Sequence, residues 1–187
     1  MKFNIRDLNF GVSKAIYWGV LREGGLHWAL SIQGGGNSQL EIEPRAYSER
    51  LFGLDAKTPQ TLCSWLNKKI GWRSCYIEKT GSYHARMYGF EHADIYNAEL
   101  SLTASDDLDS HIKWEGRCDL FVDDRYDKNL PFSIDSAITF AGIRVKMDHL
   151  EDAQKALGHW ITDAGKYKFR STDSSQHLSG IVLEPTT

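Results

Sequence analysis

Period-two alternation of apolar and polar residues runs through most of this chain and constrains its fold more than any other feature. In residues 26–33 the apolar set is Leu26, Trp28, Leu30 and Ile32, with His27, Ala29, Ser31 and Gln33 between them. Successive strand side chains point to opposite faces, so this spacing predicts a half-buried strand. Residues 15–21 read as the strand before it, and Arg22-Glu23-Gly24-Gly25 supplies the glycines of a tight hairpin turn. Gly34–Gly36 reads as a further turn, and residues 39–43 alternate again until Pro44.

The middle of the chain repeats the pattern. Tyr96, Ala98, Leu100 and Leu102 share one face of a strand. Ile112, Trp114, Cys118 and Leu120 form the inner face of the next, with His111, Lys113, Glu115, Arg117 and Asp119 opposite. Phe132, Ile134, Ile138 and Phe140 alternate, and then the phase slips across Ala141-Gly142 so that Ile143 and Val145 carry the apolar face. A glycine at a phase slip predicts a β-bulge. Residues 166–171 and 177–184 read as a last hairpin.

Two segments break the alternation. Residues 58–71 offer Thr58 as N-cap, Pro59 at the first helical position, Lys68 and Lys69 in the last turn and Gly71 beyond it. Leu62, Leu66 and Ile70 give its inner stripe. Residues 148–165 offer Asp148 as N-cap, Glu151 and Asp152 in the positive first turn, and an apolar face of Leu150, Ala153, Leu157, Trp160 and Ile161. Gly158 weakens the second half of that helix by about 1 kcal/mol relative to Ala. Strands and helices do not alternate, which disfavours a parallel α/β arrangement. The expectation is one α+β domain over residues 1–187. It is mostly antiparallel β, in one or two sheets or an open barrel, with two helices packed on it.

Net charge is -3, with no general basic excess, which argues against nucleic-acid binding. No stretch approaches the ~20 apolar residues of a membrane-spanning helix. The first residues lack the apolar core of a signal peptide. Three cysteines without CxxC spacing argue against a disulfide framework or a zinc site, and a reducing cytoplasm is the expected location.

No reaction motif is present. A calcium loop starting at Asp123 would need a ligand where Arg125 stands, glycine at Lys128 and a bidentate Glu at Ile134. No two of the seven histidines are spaced i,i+4 on a helix, and there is no HExxH. The polar segment His84, Arg86, Glu91, His92 and Asp94 is the best candidate for a metal-dependent or catalytic site, though a solvated strand face explains it equally well. Cys63 and Cys118 read as core thiols. No cofactor is implied. Trp18, Trp28 and Trp114 offer an alternative, a sheet face or barrel mouth for a small ligand or carbohydrate.

Charge is unevenly distributed. Residues 1–98 hold twelve Lys/Arg and nine Asp/Glu, residues 99–135 hold four and ten, and residues 136–187 hold six of each. The acidic stretch carries Asp106, Asp107 and Asp109 in one turn and Asp119, Asp123, Asp124 and Asp127 in another, with Tyr126 among them. One reading is a solvated face that keeps an edge soluble. The other is a docking surface for a basic protein partner, such as a toxin domain or the cleft of a nuclease, with Tyr126 and Phe132 as aromatic anchors.

Residues 114–145, followed by the helix beginning "DHLEDAQKALGHWI", resemble small bacterial immunity proteins that neutralise contact-dependent or polymorphic toxins. The likeness lies within residues 95–163 and hardly touches the N-terminal strands. It implies a cytosolic, non-enzymatic, acidic α+β protein that blocks a cognate toxin. No individual binding residue is carried over by it.

Overall fold

The computed structural model describes residues 1–22, 25–37, 42–53, 61–104, 110–147, 149–172 and 180–185. Its elements are β1 (Lys2–Ile5), β2 (Leu8–Asn9), β3 (Lys14–Arg22), β4 (Gly25–Gln33), β5 (Arg45–Gly53), α1 (Leu62–Leu66), β6 (Lys68–Trp72), β7 (Arg86–Tyr88), β8 (His92–Ala104), β9 (Ser110–Cys118), β10 (Leu130–Val145), α2 (Leu150–Gly158), a 3-10 turn Ala164–Lys166, β11 (Tyr167–Thr172) and β12 (Gly180–Pro185).

Seven of the strands close a barrel, in the order β3-β4-β5-β7-β8-β9-β10 and back to β3. Neighbours along this meander are antiparallel, and the closing pair, β10 on β3, is parallel. The odd strand number dictates this: when direction reverses at each step, the first and seventh strands run the same way. The expected antiparallel β-protein is therefore present, and its barrel is closed rather than open. Closure leaves no ring strand with a free edge. The remaining strands are added outside: β1 on β10 with β2 on β1, β6 on β8, and the β11–β12 hairpin on the end of β10.

Two long strands change partner partway, and bulges accompany the change. In β10, Phe140 pairs with Tyr17 but Ile143 pairs with Gly19, so β10 carries one extra residue there. Gly142, at φ +96°, absorbs it, as the phase slip predicted. In β8, Tyr96 pairs with Arg117 but Glu99 with Glu115, and Asn97 sits at φ +44°. Asn tolerates that region better than most residues.

The barrel interior is a packed core. Trp28 and Trp114 are fully buried, with Tyr17, Phe140 and Trp72 in ring contact with one or the other. The Tyr17 hydroxyl meets Ser110 Oγ at 2.8 Å, which satisfies both buried hydroxyls. The alternation assigned β9 and β10 correctly: Ile112, Trp114, Cys118 and Leu120, then Phe132, Ile134, Ile138, Phe140, Ile143 and Val145, all point inward. In β4, Ala29 and Ser31 are buried as well, so that strand is covered on both faces rather than half-buried. Arg45 Nε donates to Ser31 Oγ at 2.7 Å from the neighbouring strand.

The helices are shorter than expected. Helix α1 starts after Thr61, whose side chain accepts from the Ser64 amide at 3.3 Å, and ends at Leu66. The proposed Thr58 cap and Pro59 lie outside the described residues. Lys68, Lys69 and Gly71 belong to strand β6 and not to a last helical turn. The cause is Asn67. Its amide nitrogen donates to Cys63 O at 2.9 Å and Ala104 O at 3.1 Å, and its amide oxygen accepts from Ala104 N at 3.0 Å. The side chain thus closes the helix and joins the chain to the end of β8, where backbone pairing takes over. Helix α2 ends at Gly158 rather than near residue 165, with Glu151 and Asp152 in its first turn as predicted. Ala153 and Leu157 face the core, but Leu150 is 45% exposed, and Ile161 is buried from the turn that follows. Asp148 lies outside the described residues. Among the described residues, no helix is long and apolar enough to cross a membrane.

Candidate functional site

The β9–β10 connection, residues 119–129, is ordered by its own acids. Asp119 Oδ1 accepts from the Asn129 amide at 2.9 Å and from the Tyr96 hydroxyl at 3.0 Å, tying the base of the loop together. Burial, then the Asp119 carboxylate, pushes the Tyr96 phenol up to about 12. Asp123 Oδ1 accepts from the amides of Arg125 and Tyr126, both at 2.9 Å, an Asx turn at the tip. Backbone bonds from Leu120, Phe121 and Val122 to Asp127 and Tyr126 complete a small ladder.

Tyr126 lies beneath this loop rather than on its surface, 4% exposed, and its hydroxyl donates to Asp7 Oδ1 at 3.2 Å. Asp7 also forms an ion pair with Arg125, and Arg6 donates to the Arg125 carbonyl at 2.6 Å. The β1–β2 turn thereby clamps the loop. Asp7's own backbone amide holds its carboxyl below the usual carboxylate range, against a desolvation that raises it, with help from Tyr126 and Arg125. Phe132 faces the core and is not an exposed anchor.

Part of the expected acidic surface lies within the described residues. Asp119, Asp123, Asp124 and Asp127 share this loop. Asp106, Asp107 and Asp109 lie outside the described residues, and the chain enters and leaves their turn at Ala104 and Ser110. The described residues that flank them, Ala104 and Ser110, pair at the start of β9, and the 119–129 loop follows its other end. Two acids on the outer strand face are matched within the chain: Glu99 with Lys69 at 2.7 Å, and Asp135 with His111 at 2.9 Å and Lys113 at 4.0 Å. Asp124 and Asp127 have no ion pair among the described residues; Asp124 is exposed and Asp127 half-buried.

The polar segment His84–Asp94 lines the other candidate region. Strand register puts Arg45, Tyr88 and His92 in one outward row and Tyr47, Arg86 and Asp94 in the next. His84 stacks on Trp72 at 5.4 Å, and burial lowers its pKa from 6.5. Asp94 Oδ2 accepts from the Cys75 thiol at 3.3 Å, and burial, then this carboxylate, pushes Cys75 up to about 11. His92 Nδ1 is 2.7 Å from the Tyr47 hydroxyl. His84, His92 and Asp94 thus have separate local partners, and no three potential metal ligands converge among the described residues. Of the tryptophans proposed for a ligand-binding mouth, Trp28 and Trp114 fill the core and Trp18 lies under Arg144.

Beside this face is a cleft of about 420 Å³, between β5 and the arm formed by residues 75–84. It is lined by Tyr47, Glu49, Ser82, Tyr83 and Arg86, with Ser48, Gly81 and Ala85 completing it. Of these, only Arg86 stood out in the sequence. The signal for the others was the outward set Arg45, Tyr47 and Glu49, an aromatic flanked by opposite charges at strand spacing. No family model matches the chain, and neither a curated protein nor a solved structure matches it.

Proposed function

We propose that this chain is a non-enzymatic binding protein, an inhibitor of the toxin-immunity kind, that docks the tip of its 119–129 loop on a basic partner protein. The supporting observation is the construction of that loop. Asp119 and Asp123 are spent on internal hydrogen bonds, Tyr126 anchors it from below, and Asp7 with Arg125 clamps it. What this leaves without an internal partner is exposed Asp124 and half-buried Asp127, on a backbone already held in one shape. A preorganised loop loses little entropy on binding, and unpaired carboxylates steer a cationic partner at long range. A nuclease cleft is one such partner, since carboxylates there take the places of substrate phosphates. The reading keeps the protein in the cytoplasm with its cysteines as thiols.

The test is capture of partners from native lysate by the wild type and by Asp124→Lys/Asp127→Lys, followed by association kinetics at two salt concentrations. Exposed turn substitutions change stability by less than about 0.5 kcal/mol, so the variant folds. The reading expects a basic protein retained by the wild type, with slower association for the variant and a weaker salt dependence. Equal capture by both forms, or capture by neither, removes it.

A further inference from the structure

The cleft beside β5 is a second site, independent of the acidic loop, and its chemistry is specific. Its cationic group is Arg86, whose guanidinium carbon lies 3.3 Å from the centroid of the Tyr83 ring. Tyr83 and Tyr47 also hydrogen-bond this guanidinium, and its five N–H donors exceed what two tyrosine hydroxyls can use. Tyr83 is itself braced, its ring 4.8 Å from Tyr76 and its chain paired with it across the arm. The guanidinium is thus held in place before any ligand arrives. Its cross-strand neighbour Asp94 is engaged by the Cys75 thiol, and among the described residues no carboxylate forms an ion pair with Arg86.

The anionic group is Glu49. It is two residues beyond Tyr47, the register partner of Arg86, and lines the same cleft. It too is exposed and without an ion pair among the described residues. Two opposite charges line the same cleft and do not pair. Arg donates only and a carboxylate accepts only. A ligand satisfying both must bring its own carboxylate to Arg86 and its own ammonium to Glu49. A polyanion would meet repulsion from Glu49, and a simple cation repulsion from Arg86. The cleft is also lined by Tyr47, Tyr83, Ala85 and Ser82, which offer both apolar and polar surface. About 420 Å³ is within the range of small-molecule sites.

We propose that this cleft binds a zwitterionic α-amino acid, its carboxylate in a two-bond fork with Arg86, its ammonium on Glu49, and its side chain against the tyrosine rings. The fork geometry of guanidinium and carboxylate makes the first contact directional.

The experiment is titration of the isotope-labelled protein with each common L-amino acid, followed by amide and side-chain shifts. At least one should give saturable shifts confined to Tyr47, Ser82, Tyr83 and Arg86. Arg86→Gln and Glu49→Gln should each weaken it roughly tenfold or more, the cost of losing a charged hydrogen bond. The N-acetyl derivative of that amino acid should bind weakly to the wild type and no worse to Glu49→Gln, which separates ligand contact from a change in folding. The proposal is overturned if no amino acid shifts these residues, if glucose or inorganic phosphate shifts them instead, or if Glu49→Gln binds like the wild type with both variants showing native spectra.

Discussion

Gly142 tests the closure of the barrel. It sits where β10 passes from β9 to β3 and β12, at φ +96°, and a Cβ there would lie 2.5 Å from the Leu183 carbonyl oxygen and 2.7 Å from Val182 Cγ1. The oxygen belongs to the backbone of β12, so it cannot turn away as a side chain would. Gly142→Ala meets two separate costs. The left-handed backbone costs an L-residue roughly 1–2 kcal/mol. Overpacking against a fixed neighbour costs about 1–3 kcal/mol more. The sum, about 2–5 kcal/mol, corresponds to a fall in Tm of roughly 5–20 °C for a chain of this size. Gly158→Ala is the matched control. That glycine is helical, and a Cβ there meets nothing within 4 Å, so the change should stabilise by up to about 1 kcal/mol. Urea unfolding of both variants gives the answer from the midpoint at constant slope. If Gly142→Ala stays within about 0.5 kcal/mol of the wild type, the bulge is not the obligatory glycine position argued above.

Two further outcomes follow from buried titrating groups. Burial and Asp94 push Cys75 up to about 11, so at pH 8 only about a thousandth of it is thiolate. A disulfide-exchange reagent should therefore modify half-buried Cys63 well before Cys75, and Asp94→Asn should speed Cys75; a Cys75 that reacts first contradicts the assignment. His84 has a folded pKa below its unfolded 6.5, so the unfolded chain takes up the proton first. Its contribution to stability is present above pH 6.5 and is lost as pH falls through 6.5 toward the lower folded value, so His84→Gln should flatten the decline in unfolding free energy measured between about pH 7 and 5.

The strands were legible because burial in a barrel is one-sided, and one-sided burial writes a period of two. Trp114, Ile134 and Ile143 could be assigned to the inside without coordinates, and Gly142 could be marked as the slip between two registers. What alternation does not record is which strands are neighbours around the ring. The parallel contact of β10 with β3 joins residues more than a hundred positions apart, and no local pattern encodes it. The first helix failed for a local reason. Its C-terminal signals, two lysines and a glycine, suit the outer face of a strand equally well. The decision fell to Asn67, which bonds to Ala104 from far along the chain.

The acidic stretch carries the corresponding lesson about function. Ten acids in residues 99–135 looked like one surface because they are contiguous in sequence. In a hairpin, contiguity places residues at both ends and on both edges of the strands. Among the described residues of this stretch, Glu99 pairs with Lys69, and Asp135 lies against Lys113 and His111. The cleft shows the converse. Glu49 and Arg86 are 37 positions apart and unremarkable singly, but the β5–β7 register brings them to one face as an unpaired couple. The useful quantity is therefore charge left unpaired after strand register is applied, rather than charge counted along the chain. By that measure Asp124 and Asp127 on one loop, and Glu49 with Arg86 in one cleft, are the groups on which the two proposals rest.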